Sequence, residues 1–163
     1  MTTLVGDDAD HEPTPQEQPP VTTRDTGPAR TVVREVSLPL PSPTEGCANA
    51  RAFVRGALGA WGIDDETRGD VEQVASELVA HAFRVGGAVL DLTLRLEDDR
   101  DGEQVVVDVV TVESSASGEP DDDESPQLFI VGRLSSDWGV GESPSSPRVW
   151  ACVQVQETPQ PQP

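Results

Sequence analysis

In the stretch ELVAHAFRVG, a carboxylate and an imidazole, Glu77 and His81, stand four residues apart. On a helix that spacing places two side chains one turn apart on one flank. Three chemistries could use such a pair. An acid and an imidazole can move protons between them. Both can ligate a metal ion, and both can line a nucleotide pocket at the end of a helix. Composition narrows the choice. All 11 basic residues are arginine, so phosphate-gripping and Schiff-base lysines are excluded. The other histidine, His11, and the two cysteines, Cys47 and Cys152, lie far from His81 in sequence. A lone histidine without a second nitrogen or sulfur ligand in range makes a poor zinc site. The residues alone predict a partly buried histidine that pairs with Glu77 across the turn.

The chain has 163 residues and a formal charge of −19, from 30 acids against 11 bases. That balance argues against nucleic acid or an anionic membrane as partner, because the attraction to phosphate is missing. Basic or neutral protein surfaces are the expected partners. The two cysteines, with no CxxC, read as small buried thiols in a reducing compartment. No apolar run approaches 18 residues, and the start MTTLVGDDAD has no basic or apolar leader character. The expectation is a soluble, cytoplasmic protein.

The elements that must position Glu77 and His81 follow from periodicity. Residues 1–30 are rich in Pro, Thr, Asp, Glu and Gln and read as a disordered tail; 157–163, ETPQPQP, reads as a second. The folded part is 31–156. TVVREVSLPL is β-branched and predicts a strand ended by Pro39 and Pro41. Ser42, Pro43 and Glu45 form a capping-box start, and an apolar stripe at Cys47, Ala50, Phe53, Val54, Ala57, Leu58 and Trp61 predicts a helix stopped by Gly62. A second helix starts at Asp64 or Asp65, carries Val71, Val74, Ala75, Leu78, Val79, Ala82 and Phe83 on one face, and ends at Gly86 or Gly87. Glu77 lies well off that stripe and His81 at its border. AVLDLTLRLE alternates, Asp101-Gly102 signals a hairpin, and QVVVDVVTV is the returning strand. ESSASGEPDDDESPQ is a long acidic loop, LFIVGRLSS a short helix, and DWGV and RVWACVQVQ are closing strands. This order predicts an α+β two-layer sandwich, with a mixed, mostly antiparallel sheet and the helices on one face.

The segment LPLPSPTEGCANARAFVRGALGAWGIDDETRGDVEQVASELVAHAFRVGG, together with LFIVGRLSSDWGV and RVWACV, resembles the bacterial anti-sigma-factor family that carries a serine-protein-kinase-type ATPase domain. That family belongs to the wider group of histidine-kinase, gyrase and heat-shock-chaperone ATPase domains. The resemblance covers most of residues 37–155, and E-L-V before a position that is usually asparagine is its most specific part.

The resemblance implies ATP and Mg²⁺ as cofactors and assigns positions to them. Glu77 matches the glutamate that polarises the attacking group. His81 stands where the family has the asparagine that ligates Mg²⁺, yet Mg²⁺ requires oxygen ligands and imidazole offers nitrogen. Arg84 and Gly86 fall in the stretch after it, where the family often has His-Gly and this chain has Val85-Gly86. The aspartate that reads the adenine amino group maps to Thr111, or to Glu113 if the register slips by two, and no D-x-G-x-G follows. Loss of one buried charge-assisted contact costs ~1.5–3 kcal/mol, about 10- to 100-fold in affinity. The family's glycine run before Leu128 is replaced by Glu124-Ser125-Pro126-Gln127; Ser125 and Pro126 read as a helix cap that is complete in itself. Ahead of it, Asp121–Glu124 sets four carboxylates where a triphosphate would approach.

Three boxes are altered while both helical stripes are intact. The resemblance, with that damage, implies a regulator of transcription that binds a sigma factor or an anti-anti-sigma antagonist, with ATP binding weakened or lost. It leaves a homodimer open, as many members of the family form one. The alternative is an active ATP-dependent serine kinase acting on the antagonist, with Glu77 as its polarising base.

Overall fold

A computed structural model describes residues 30–115, 125–142 and 146–156. The two tails and Asp121–Glu124 lie outside the described residues. The elements run β1 (Thr31–Leu40), α1 (Pro43–Ala60), α2 (Asp65–Arg84), β2 (Gly87–Asp99), β3 (Gly102–Ser114), α3 (Pro126–Leu134), β4 (Asp137–Glu142) and β5 (Pro147–Gln154). This is the expected order. The five strands form one sheet in the order β1-β2-β3-β5-β4, and every neighbouring pair is antiparallel, so the expected mixed pairing gives way to a uniform one. β1 runs one proline further than expected: Pro39 stays in it opposite Asp91. An edge strand tolerates a residue that cannot donate to the ladder.

The helix boundaries have local causes. Ser42 caps α1, its hydroxyl accepting from the Thr44 amide, and Pro43 fills the first helical position. At the other end Ile63 N donates to Leu58 O and Gly62 N to Gly59 O, while Gly62 takes φ +73°. That is the glycine-terminated helix end in which a left-handed residue lets the last carbonyls find partners. Asp64 then caps α2, accepting from the Thr67 amide at 2.8 Å and from the Thr67 hydroxyl at 2.6 Å. Gly86, at φ +118°, carries the chain out of α2 into β2.

Packing follows the two periods. Leu90, Leu92, Leu94 and Leu96 on β2 and Val105, Val107 and Val109 on β3 face the helices and are buried. Val71, Val74, Ala75, Leu78 and Val79 of α2 fill the layer between, and α2 lies against β2, β3 and β5. α1 rests on α2 and on β1 and β2, and α3 on the far flank of α2. Full burial of each such leucine or valine contributes ~1.5–3 kcal/mol. The opposite sheet face carries a smaller apolar group, Val106, Trp150 and Cys152. Among the described residues no helix is long and apolar enough to cross a membrane.

Candidate functional site

The C-terminal turn of α2 carries His81 at the border of its apolar stripe, and the fold resolves that border inward: the side chain is 1% exposed. Two groups approach its Nδ1 atom. Arg84 Nη2 lies 3.3 Å away, and Ser125 Oγ, at the start of α3, also 3.3 Å. A guanidinium can only donate, so toward Arg84 the Nδ1 atom acts as acceptor. Ser125 Oγ accepts the Leu128 amide at 3.2 Å as the cap of α3, which leaves its O–H to donate to His81. One hydroxyl thus caps α3 and ties that helix to α2.

Glu77 does not pair with His81, as the spacing alone had suggested. Its carboxylate accepts from Gln73 Nε2 at 2.7 Å, one turn back, while His81 turns toward α3. The cause is the stripe itself: Glu77 lies on the flank of α2 away from the core, and His81 on the edge that α3 covers. No proton-moving dyad is formed between them.

Thr111, near the end of β3, is 5% exposed and faces the same region as His81. Glu113, two residues on and opposite Val89, is exposed and stands outside it. A cavity of about 450 Å³ opens between the end of α2 and the sheet. Its helix wall is His81, Ala82 and Val85, and its sheet wall includes Val109, Thr111, Val140 and Val149. Glu142, Pro147 and Arg148 also line it. Of the positions singled out in the sequence, His81 and Thr111 meet at this cavity. Gly86 makes the turn beside it, accepting the Ser115 amide at its carbonyl. Leu128 is core, and Arg84 serves His81.

Three features were missed in the sequence. Val140, Val149 and Arg148 reach the cavity only through strand pairings between distant segments, which no local pattern reports. The Ser125 hydroxyl was readable as a cap but not as a partner of His81. Asp108, an acid inside QVVVDVVTV, was a readable oddity: an acid among valines needs partners. It has them on the sheet face away from the helices, where Arg148 binds it bidentately at 2.7 and 2.8 Å and Arg95 approaches to 3.4 Å.

The residues present do not fit Mg²⁺ and a triphosphate. The position expected to supply an oxygen ligand supplies an imidazole nitrogen already held by two donors. At the start of α3, Pro126 has no amide hydrogen and the Leu128 amide is spent on Ser125, so two of the donors a helix end offers to phosphate are absent or occupied. Among the described residues no group of three or more His, Cys, Asp or Glu could hold a metal ion.

No protein-family model and no curated protein matches the chain. Among solved structures, the chain is similar to the crystal structure of the RsbU and RsbW domains of Rv1364c from Mycobacterium tuberculosis, with TM-score 0.52 and 16% identity over 76% of this chain. The match spans 33% of that longer chain and falls on its RsbW domain. At this identity the likeness establishes the fold alone: a five-stranded antiparallel sheet with three helices, shared with that RsbW domain.

Proposed function

We propose that this chain is a regulatory protein that acts by binding other proteins on an anti-sigma-type fold, with nucleotide binding weakened or lost. Its partner is a sigma factor or an anti-anti-sigma antagonist, presenting a basic or neutral surface to a chain of formal charge −19. Similarity to an RsbW domain supports the regulatory class. One observation carries the loss of nucleotide chemistry: Ser125, His81 and the Leu128 amide are closed on one another, so the helix start that would cradle phosphate is already satisfied from within.

Calorimetric titration with ATP and Mg²⁺ tests the second half of the reading. The expected result is no binding tighter than about 100 μM, which corresponds to roughly −5.5 kcal/mol. Tighter binding, with phosphorylation of an antagonist protein, would establish the kinase alternative instead. Affinity capture from the native cell tests the first half: recovery of a sigma factor or of an antagonist is expected, and recovery of neither refutes it.

A further inference from the structure

The cavity at the end of α2 has the dimensions of a small-ligand site, about 450 Å³, inside the range typical of pockets that enclose a small molecule. Its chemistry differs from that of a phosphate site. Ala82 and Val85 line one wall and Val109, Val140 and Val149 the other. Two buried polar side chains interrupt this apolar lining, His81 and Thr111. The Thr111 hydroxyl can orient a ligand without adding charge.

The charged residues that line the cavity offer an anion little. Arg148 is bound to Asp108 through two hydrogen bonds on the far face of the sheet. Glu142, also in the lining, carries a negative charge, and Arg84 lies against His81. The described lining therefore presents no surplus positive charge to a phosphate or a carboxylate.

We propose that this cavity is a binding site for a small uncharged molecule with an apolar body and one hydrogen-bonding group, held between the valine walls with that group directed at Thr111. The site selects against anions. The proposal is independent of the partner-binding reading, since the cavity test uses the protein alone.

Benzamide and benzoate make a matched pair of probes, alike in shape and differing in charge. In ¹⁵N-edited NMR of the full chain, benzamide is expected to shift the amides of Ala82, Val85, Val109, Thr111, Val140 and Val149, with benzoate at least about tenfold weaker, a difference of ~1.4 kcal/mol. Ala82→Leu fills the cavity from the helix wall and should abolish the shifts; if that variant does not fold, Thr111→Val, of similar shape, should weaken benzamide and leave a purely apolar probe such as benzene unaffected. Equal binding of benzoate, shifts that map elsewhere, or no shift at saturating benzamide would each overturn the proposal. ATP titration fails or succeeds separately, so loss of this site and loss of the regulatory reading are distinguishable.

Discussion

The hydroxyl of Ser125 makes two bonds, and removing it should cost more than an ordinary helix cap. Ser125→Ala deletes the acceptor of the Leu128 amide, and loss of a cap costs ~0.5–2 kcal/mol. It also deletes one of the two donors at Nδ1 of a histidine that is almost wholly enclosed, worth a further ~0.5–1.5 kcal/mol. The expected total is therefore about 1–3.5 kcal/mol. Ser42→Ala provides the reference, because Ser42 caps α1 with one 3.3 Å bond at an exposed position and should cost only about 0.5 kcal/mol. Urea denaturation followed by tryptophan fluorescence measures both. The decisive experiment is the double-mutant cycle with His81→Phe, which removes the imidazole while retaining a ring. Side chains in contact couple by ~0.5–3 kcal/mol, whereas independent ones add within ~0.5 kcal/mol. If Ser125→Ala and His81→Phe prove additive, the hydroxyl does not join the two helices, and the account of why the α3 start is closed to phosphate fails with it.

Other consequences are quicker to check. Burial pushes the Asp64 carboxyl up, but hydrogen bonds from the Thr67 hydroxyl and from backbone amides outweigh it and hold the group below its ordinary value. The charged cap thus contributes stability above the unfolded pKa of about 3.9, and that contribution is lost as pH falls through the lower folded value. Asp64→Asn should lower the urea midpoint at pH 7, with the difference from wild type closing as pH falls below the unfolded pKa and through the lower folded one; a constant difference would refute this. A Cβ at Gly87 would sit 2.8 Å from the Ala82 carbonyl oxygen and 2.6 Å from Leu90 Cδ2, so Gly87→Ala should destabilise by about 1–3 kcal/mol; an unchanged melting temperature would contradict the tight α2–β2 turn. Asp108→Ala strands Arg95 and Arg148 without their shared acceptor and should cost about 1.5–3 kcal/mol, while Asp108→Asn, which keeps one acceptor oxygen, should cost less. His81→Asn alone should not bring MgATP affinity below about 100 μM, because Pro126 and the spent Leu128 amide remain; strong binding by that variant would show that the imidazole was the sole obstacle.

Local information decided most of the architecture. Ser42-Pro43, Asp64, Gly62 and Gly86 are short-range signals, and each lies at the boundary it announced. The leucines of β2 alternate in the structure as in the sequence because one face of a half-buried strand must be apolar. Contacts made across the chain were much less legible. Whether His81 turned to Glu77 or inward depended on what covered the border of the α2 stripe, and the covering residue, Ser125, is 44 positions away. Thr111 and Glu113 were equivalent alternatives until the β2–β3 register set the first at the cavity and left the second exposed. β5 could be read as a strand, but its placement between β3 and β4, which brings Val149 to the cavity and Arg148 to Asp108, is a property of the whole sheet.

The residues at the junction of α2 and α3 form one consistent local structure. An imidazole at position 81 needs a hydrogen-bond partner once buried, because an orphaned polar atom in the core costs ~1–3 kcal/mol. A helix start without glycines needs its amides satisfied by a side chain. Ser125 answers both requirements with a single oxygen, and Pro126 removes one of the amides that would otherwise need a partner. The resulting junction stabilises the α2–α3 contact using the same groups that a phosphate would have to recruit. For this chain, opening the helix start to an anion would therefore mean giving up a cap and an interhelical bond together, which is why His81→Asn alone should not confer nucleotide binding.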